Sequence, residues 1–416
     1  MTDDDRPSAE TGPAVAANVF RHRGFACYWF ARLVANFATQ FISVSVGWQV
    51  YDLTRDPLDL GLVGLVQFLP SLALVLVTGA AADRFNRRLI MGLCIAAEIA
   101  CALALLALTI GGDQRVWPIF AVLACFGVAR AFLGPAMQSL LPNLVPSAEL
   151  STAIAWNSSS WQIGTISGPV IGGLLYGIAP EVPFASAVLL LAVSVGLVAL
   201  IPKPAQKTVP EPASWETLGA GFRYIWGEKI VLGAISLDLF AVLLGGATAL
   251  LPAYARDILD VGPLGLGLLR AGPGIGALAV AIWLARRPVD DHAGLIMFAC
   301  VAGFGAFTCV FGASTLPWLS IVALALMGAF DMVSVYVRET LIQVWTPDAV
   351  RGRVNAVNMV FVGASNELGE FRAGTLGSMI GVVPAVVIGG LGTVAVAGLW
   401  AAWFPQLRRV RQLHRA

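Results

Sequence analysis

Charge is what this chain has least of. Asp, Glu, Lys and Arg make up 12% of its 416 residues, while 58% are hydrophobic. A soluble domain carries about 25% charged residues, so an ordinary water-soluble fold is excluded. The three histidines, His22, His292 and His414, all fall in loops or tails, which leaves none inside an apolar run to relay protons. The six cysteines lie in or beside apolar runs without CxxC spacing. They read as packing residues and not as a disulfide frame or a metal site. No metal-ligand cluster, nucleophile–histidine pairing or phosphate loop is present to support an enzyme, and no sensory domain is attached to support a receptor. The net charge of +1 gives no sign of a nucleic-acid partner. Near the start there is no short apolar region with a cleavage site, so the first span is expected to be an uncleaved anchor.

What the chain does have is apolar length. Its mean hydropathy is +0.80. At roughly 20 residues per crossing, the sequence accommodates about twelve spans. Apolar runs occur at about 25–50, 58–82, 87–110, 116–140, 151–178 and 182–201, and again at 231–253, 264–285, 294–313, 317–341, 354–379 and 381–404. The expected organisation is a disordered acidic tail at 1–19, a six-helix bundle at 20–201, a linker at 202–229, a second six-helix bundle at 230–405 and a basic tail at 406–416. Within the linker, PKPAQKTVPEP reads as a stiff extended stretch. Trp215, Leu218, Phe222 and Ile225 then follow at helical spacing, as in a helix lying on a membrane surface.

Positive charge sets the orientation. With both termini inside, 18 Lys and Arg fall on inner segments, and only Arg55, Arg115 and Arg256 on outer ones. That asymmetry places both termini in the cytoplasm of a multi-pass, bacterial-type inner membrane protein. The Gly79–Arg88 link, GAAADRFNRR, joins two spans through Asp83, Arg84, Arg87 and Arg88, so the chain must turn there as an antiparallel hairpin on the cytoplasmic side.

The two halves repeat. Pro57-Leu58-Asp59-Leu60-Gly61-Leu62 enters the second span, and Pro263-Leu264-Gly265-Leu266-Gly267-Leu268 enters the eighth. Pro146, Asn157, Gly168 and Gly173 likewise align with Pro347, Asn358, Gly369 and Gly374. Parallel six-helix repeats are a construction of secondary transporters.

Several spans carry polar groups that lipid would not tolerate without a pathway to face. Arg32, Asn36 and Gln40 form one stripe of the first span, as suits the wall of a water-filled cavity. Arg130 lies in the fourth, and Glu98 in the third could serve packing alone. Asp238 lies in the seventh span, and Asp331, Arg338 and Glu339 lie in the tenth. In the eleventh, SNELGEFRAG puts Glu367 and Glu370 on one face with Arg372 pointing elsewhere. Two close carboxylates in a low dielectric do not both ionise. They could carry a proton, or be neutralised by Arg372 or Arg338 in a fixed network. In the fifth span, GTISGPVIGG stacks Gly164, Gly168 and Gly172 on a face that lets a neighbour approach, and Pro169 permits a bend.

The spacing Gly-x-x-x-Asp-Arg-x-x-Arg-Arg from Gly79 resembles the loop between helices 2 and 3 of the major facilitator superfamily. Asn86 stands where that family usually has Gly, and Asn is the next best residue for a left-handed turn. The string from Gly164 through Gly168, Pro169 and Gly172 to Gly173 resembles the helix-5 signature of the superfamily's antiporting exporters. GWQVYDLTRDPLDLGLVGLVQFLPSLA, LLPAYARDIL and TPDAVRGRVN resemble its enterobactin-exporter and macrolide-efflux branch, which often has an acidic or small residue at the place of Arg372. The resemblance covers everything except the tails.

It implies an all-α membrane protein of twelve transmembrane helices in two pseudo-symmetric six-helix halves. It also implies proton-driven export of a siderophore or hydrophobic drug by alternating access, with no cofactor beyond the proton gradient. An arginine at the place of Arg130 is linked in the superfamily to proton coupling, and Asp83 is implied to latch the inner gate against the start of the eleventh span. The expected partners are a small-molecule substrate, protons and the lipid bilayer, with the protein a monomer. Arg32, Asn36, Gln40, Asp331 and Arg338 are the cavity candidates. Arg130, Asp238, Glu367 and Glu370 are the coupling candidates, and Gly79, Asp83, Arg84, Arg87 and Arg88 form the gate. The rival expectations are a nutrient importer of the same fold and a membrane-embedded enzyme or receptor.

Overall fold

The fold follows from how each apolar run begins and ends. The computed structural model describes residues 18–412, except 113, 203–214 and 290. Most of the acidic tail, the extended part of the linker and the last four residues therefore lie outside the described residues. Asp56 caps the second helix by accepting from the Leu58 amide at 2.9 Å, with Pro57 at the first helical position. Asn86 caps the third by accepting from the amides of Arg88 and Leu89 at 3.1 and 3.4 Å. Asn86 has φ −65°, not the left-handed turn expected of it, because its side chain serves as an N-cap.

In the first half the helices are α1 (Arg23–Thr54), α2 (Pro57–Arg84), α3 (Arg87–Ile110), α4 (Trp117–Leu140), α5 (Leu150–Ile178) and α6 (Val182–Ala199). A linker helix, α7 (Trp215–Gly227), leads to α8 (Lys229–Gly245) and the short α9 (Leu251–Ala253). The rest are α10 (Gly262–Arg286), α11 (Ala293–Ala313), α12 (Pro317–Trp345), α13 (Asp348–Ile380), α14 (Val382–Trp403) and the short α15 (Pro405–Arg408). The seventh apolar run is not one helix. It breaks at Gly245-Gly246 and resumes as a 3-10 turn, α9 and a π turn over Tyr254–Ile258. Gly246 there lies against the backbone of Gly369 in α13, an approach that a side chain would prevent.

Among the described residues, nine of these segments are long and apolar enough to cross a membrane. The other three long helices, α1, α5 and α13, run 32, 29 and 33 residues but carry more polar groups. They are the helices that bear the Arg32 stripe, the Asn157–Ser160 segment and the Glu367/Glu370 pair. In the first half α1 packs on α5 and α6, and α4 on α2 and α3. In the second, α12 packs on α10 and α11, and α14 on α8 and α11.

The halves meet along α5 with α10 and along α2 with α13, and the repeat positions are the contact points. A side chain at Gly173 would run into the Pro263 carbonyl, and one at its repeat mate Gly374 into the Pro57 carbonyl. Gly267 likewise lies against Pro169, and Gly61 against Glu370 and Phe371. All of these lie toward the end that the arginine distribution assigns to the outside, hereafter the outer end. There Val44, Trp48 and Tyr176 of the first half join Leu250, Leu251 and Tyr254 of the second in one buried apolar cluster.

The linker helix has a fixed seat. Ile225 is buried with Ile342, Val354 and Val357, and Gly221 lies against the Arg353 backbone at the start of α13. Phe222 does not share the buried face with Ile225. It is 46% exposed, with its ring 6.4 Å from that of Phe361.

Candidate functional site

Between the halves lies a cavity of about 520 Å³. Its wall takes Gln40 and Ser43 from α1, Gln67 and Ser71 from α2, Arg130 from α4 and Thr165 from α5. Thr248, Arg270 of α10, and Glu367 with Glu370 of α13 complete the polar part. Three residues apart on a helix, the two glutamates share a face by geometry. They press on Gly64 of α2, where a methyl group would overlap Glu367 Oε2 and come within 3.2 Å of Glu370 Oε2. Thr248 Oγ1 donates to Glu370 Oε1 at 2.6 Å. Glu367 Oε2 is buried and has no hydrogen-bond partner among the described residues.

Neither arginine considered as a neutraliser reaches this pair. Arg372 donates to the Leu244 carbonyl, on the side of α13 facing α8. Arg338 is ion-paired with Asp238 of α8, and Glu339 lies 3.7 Å away, accepting from Asn358 at 3.1 Å. This corrects the expectation for two residues: Asp331 and Arg338 are off the central cavity. Residues 331, 334 and 338 follow one face of α12, and that face turns into the second half's own core. Asp331, Ser334 and Asp238 line a void of about 10 Å³ there.

The first-span stripe does line open space. Arg32 and Asn36 border a pocket of about 220 Å³ with Glu98, Arg130 and Trp161. Asn36 and Gln40 border a smaller one of about 150 Å³ with Ser43, Gln67 and Arg130. Arg130 therefore touches all three spaces. Its guanidinium lies 5.8 Å from the Phe126 ring centroid and makes no ion pair among the described residues. Arg32 donates to Asn157 Oδ1 at 2.7 Å, and Asn36 to the Trp161 carbonyl at 3.0 Å. Glu98 is buried, with Oε2 unpartnered, at the edge of the same pocket.

The glycine string in α5 serves two contacts where one seam was expected. Gly164, Gly168 and Gly172 seat Asn36, Gln40 and Phe41 of α1, within the first half. Pro169 and Gly173 present their backbone to α10, across the halves.

At the opposite end from the seal, the Asp83 side chain lies outside the described residues, and Gly79 and Arg84 are in α2. Arg87 donates to the carbonyls of Ala82 and Ser139 at 3.1 and 2.9 Å, and Arg88 to that of Ala199 at 2.5 Å. These arginines tie together the ends of α2, α4 and α6 in one half. Arg351, at the start of α13, bonds the Thr346 carbonyl at 3.1 Å and Asp348 at 2.6 Å.

Sequence reasoning passed over two features. Arg270, set in LGLLRAGPG, is an intramembrane arginine by the same argument that singled out Arg130. The other is a set of crossed ion pairs at the outer end: Arg55 lies 2.9 Å from Asp257, Tyr51 also bonds Asp257, and Arg256 pairs with Asp52. Arg256 also sits 5.4 Å from the Trp48 ring centroid. Residues counted as loop charges thus join the halves.

The chain is similar over nearly its whole length to known proteins. The family described as "Transmembrane secretion effector" matches residues 14–413. The enterobactin exporter EntS of Escherichia coli O1:K1 / APEC is 26% identical over 399 residues, covering 94% of each chain, and EntS of Citrobacter koseri matches to the same extent. Among solved structures, a POT family transporter superposes with a TM-score of 0.74 at 12% identity, covering 92% of this chain and 96% of that one. A bacterial homologue of the iron transporter ferroportin gives 0.65 at 16% identity, covering 93% and 99%. Family, twelve long helices and repeated halves agree: the chain belongs to the transmembrane secretion effector family of major facilitator superfamily transporters.

Proposed function

We propose that this protein is a proton-coupled exporter that moves a siderophore or a hydrophobic small molecule out of the cytoplasm by alternating access. The observation that carries the reading is the Glu367/Glu370 pair. Two carboxylates border a cavity between the halves, and neither Arg372 nor Arg338 neutralises them. Carboxylates that border a cavity are placed to bind a proton and to release it. A proton taken up from one side and released to the other is the exchange that drives export.

The outer ends of the halves are joined by the apolar cluster and the crossed ion pairs, which supports a state closed to the outside. Rocking about the α5–α10 and α2–α13 seams exposes the cavity alternately. The α5 signature and the similarity to an enterobactin exporter favour export over nutrient import. Arg32, Asn36, Gln40 and Arg130 would contact cargo in the first half, and Asp83 with Arg87 and Arg88 would close the inner end. The protein acts as a monomer in the inner membrane with both termini cytoplasmic.

The test uses everted membrane vesicles from cells that overproduce the protein, energised to acidify their interior. Uptake of a siderophore, macrolide or organic dye that collapses with a protonophore supports the reading. Uptake that survives the protonophore contradicts proton coupling.

A further inference from the structure

Arg270 enters the cavity from α10 in the second half, yet its guanidinium is bonded to the first. Nη1 donates to Ser43 Oγ of α1 at 2.7 Å. One turn further along α1, Gly47 leaves room for it, since a methyl there would lie 3.1 Å from Nη2. Ser43 adjoins Val44, a member of the apolar cluster that closes the outer end. Across the cavity wall from it is Glu370 of α13, whose Oε1 accepts from Thr248 at 2.6 Å. Arg270, Ser43 and Glu370 border the same cavity. Arginine thus has two partners to choose between, a neutral hydroxyl in one half and a carboxyl group in its own.

We propose that Arg270 exchanges partners between Ser43 and Glu370, and that this exchange links the protonation of Glu370 to the opening of the outer seal. The inference rests on the proton-exchange reading above. A charged carboxylate attracts a guanidinium far more strongly in a low dielectric than a hydroxyl does. With Glu370 protonated, that attraction is gone and Arg270 stays on Ser43, which ties α10 to α1 and keeps the outer end shut. When Glu370 loses its proton to water in the cavity, Arg270 is drawn to the carboxylate and the tie is released. A proton bound from outside therefore closes the outer end, and its release inside permits outward opening with cargo. That is the sign proton exchange requires, with cargo carried on the outward leg.

The charged surroundings leave this pair the freedom to act. Glu370 shares a face with Glu367 on its own helix, and Arg130 of α4 borders the same cavity. The neighbouring α2 presents Gly61 and Gly64, which do not titrate. On the Arg270 side, α12 directs Asp331 into the separate void beside Asp238.

The test measures the outer opening directly. Spin labels are placed at Gln114→Cys and Thr315→Cys, both exposed outer-loop positions in opposite halves. The full-length protein carries them in a background with its six cysteines replaced. Electron–electron distances are recorded against pH in lipid nanodiscs. In this parent, the longer, open distance should gain population as pH rises. Glu370→Gln should hold the short distance at every pH. Ser43→Ala should raise the open-to-closed ratio at low pH by about tenfold. Arg270→Gln should abolish the pH response, and adding Glu370→Gln to it should change nothing further. Arg270→Lys keeps the charge without the fork and should give a weakened response, which guards against simple misfolding. If Arg270→Gln elutes as a single species and keeps the parent's pH response, partner exchange is wrong while proton exchange stands. If the parent's distance ignores pH, both fail.

Discussion

Glu367 of α13 lies against Gly64 of α2, so the carboxylate of one half occupies the space that a side chain would fill in the other. The contact makes the α2–α13 seam and the ionisable pair one structural unit. Gly64→Ala should displace the carboxylate or part the seam, at a cost of about 1–3 kcal/mol. Transport should fall well below the parent's while the protein still inserts. Parent-like transport in vesicles matched for protein amount would show that the contact is not needed.

The Asp238–Arg338 pair leads to a different expectation. Both side chains are buried, and removing one partner strands the other charge, costing about 3–5 kcal/mol. Asp238→Asn should therefore lower thermal stability in detergent and cellular abundance. Asp238→Asn combined with Arg338→Gln should recover much of that loss. A stable Asp238→Asn protein that binds cargo but no longer exchanges protons would instead place Asp238 in the coupling role.

At the outer end, the Arg55–Asp257 and Arg256–Asp52 pairs are partly exposed. Each should contribute only ~0.2–1 kcal/mol to stability. Their effect should appear in the balance of states. Asp52→Arg should raise labelling, from outside, of cysteines introduced on the cavity wall a few-fold, with the melting temperature nearly unchanged. Adding Arg256→Asp, which swaps the charges of that pair, should restore closure; equal labelling in the single and swapped variants would count against an ionic latch.

The α5 glycines separate two seams. Gly164→Val should collide with Asn36 inside the first half and reduce folding yield. Gly173→Ala collides with Pro263 across the halves and should instead hinder closure of the outer end, leaving yield near that of the parent. Comparing abundance with outside labelling in the two variants distinguishes these outcomes.

Asp83→Asn is expected to impair transport and leave insertion and abundance intact, if the carboxylate latches the inner end against the start of α13. Unchanged transport in energised vesicles would remove Asp83 from the gate.

Much of the fold was written in residue order, because lipid leaves the backbone few options. The apolar runs, the Arg-rich turns and the PLDLGL/PLGLGL repeat located the helices and the two halves. The repeat proved more literal than its length suggested, since Pro57 and Pro263 touch the mates of each other's partners, Gly374 and Gly173. The site was less legible. Helical spacing says which residues share a face, but not which way the face turns. The 331–338 face of α12 turned into a core, and Arg372 turned to α8. Arg270 was visible as a buried charge, whereas Ser43 and Thr248 carry no signal until α1 is brought to α10 and the Thr248 turn to α13. The break at Gly245-Gly246 was hidden in an unbroken apolar run.

The most direct test of the central claim places the purified protein in liposomes with an imposed pH gradient and a trapped pH dye. Siderophores, macrolides and organic dyes are added in turn. A proton flux that depends on cargo, and that is lost in Glu367→Gln or Glu370→Gln protein of equal abundance, is the predicted result. Cargo movement without proton flux, or flux unchanged in both variants, would contradict it.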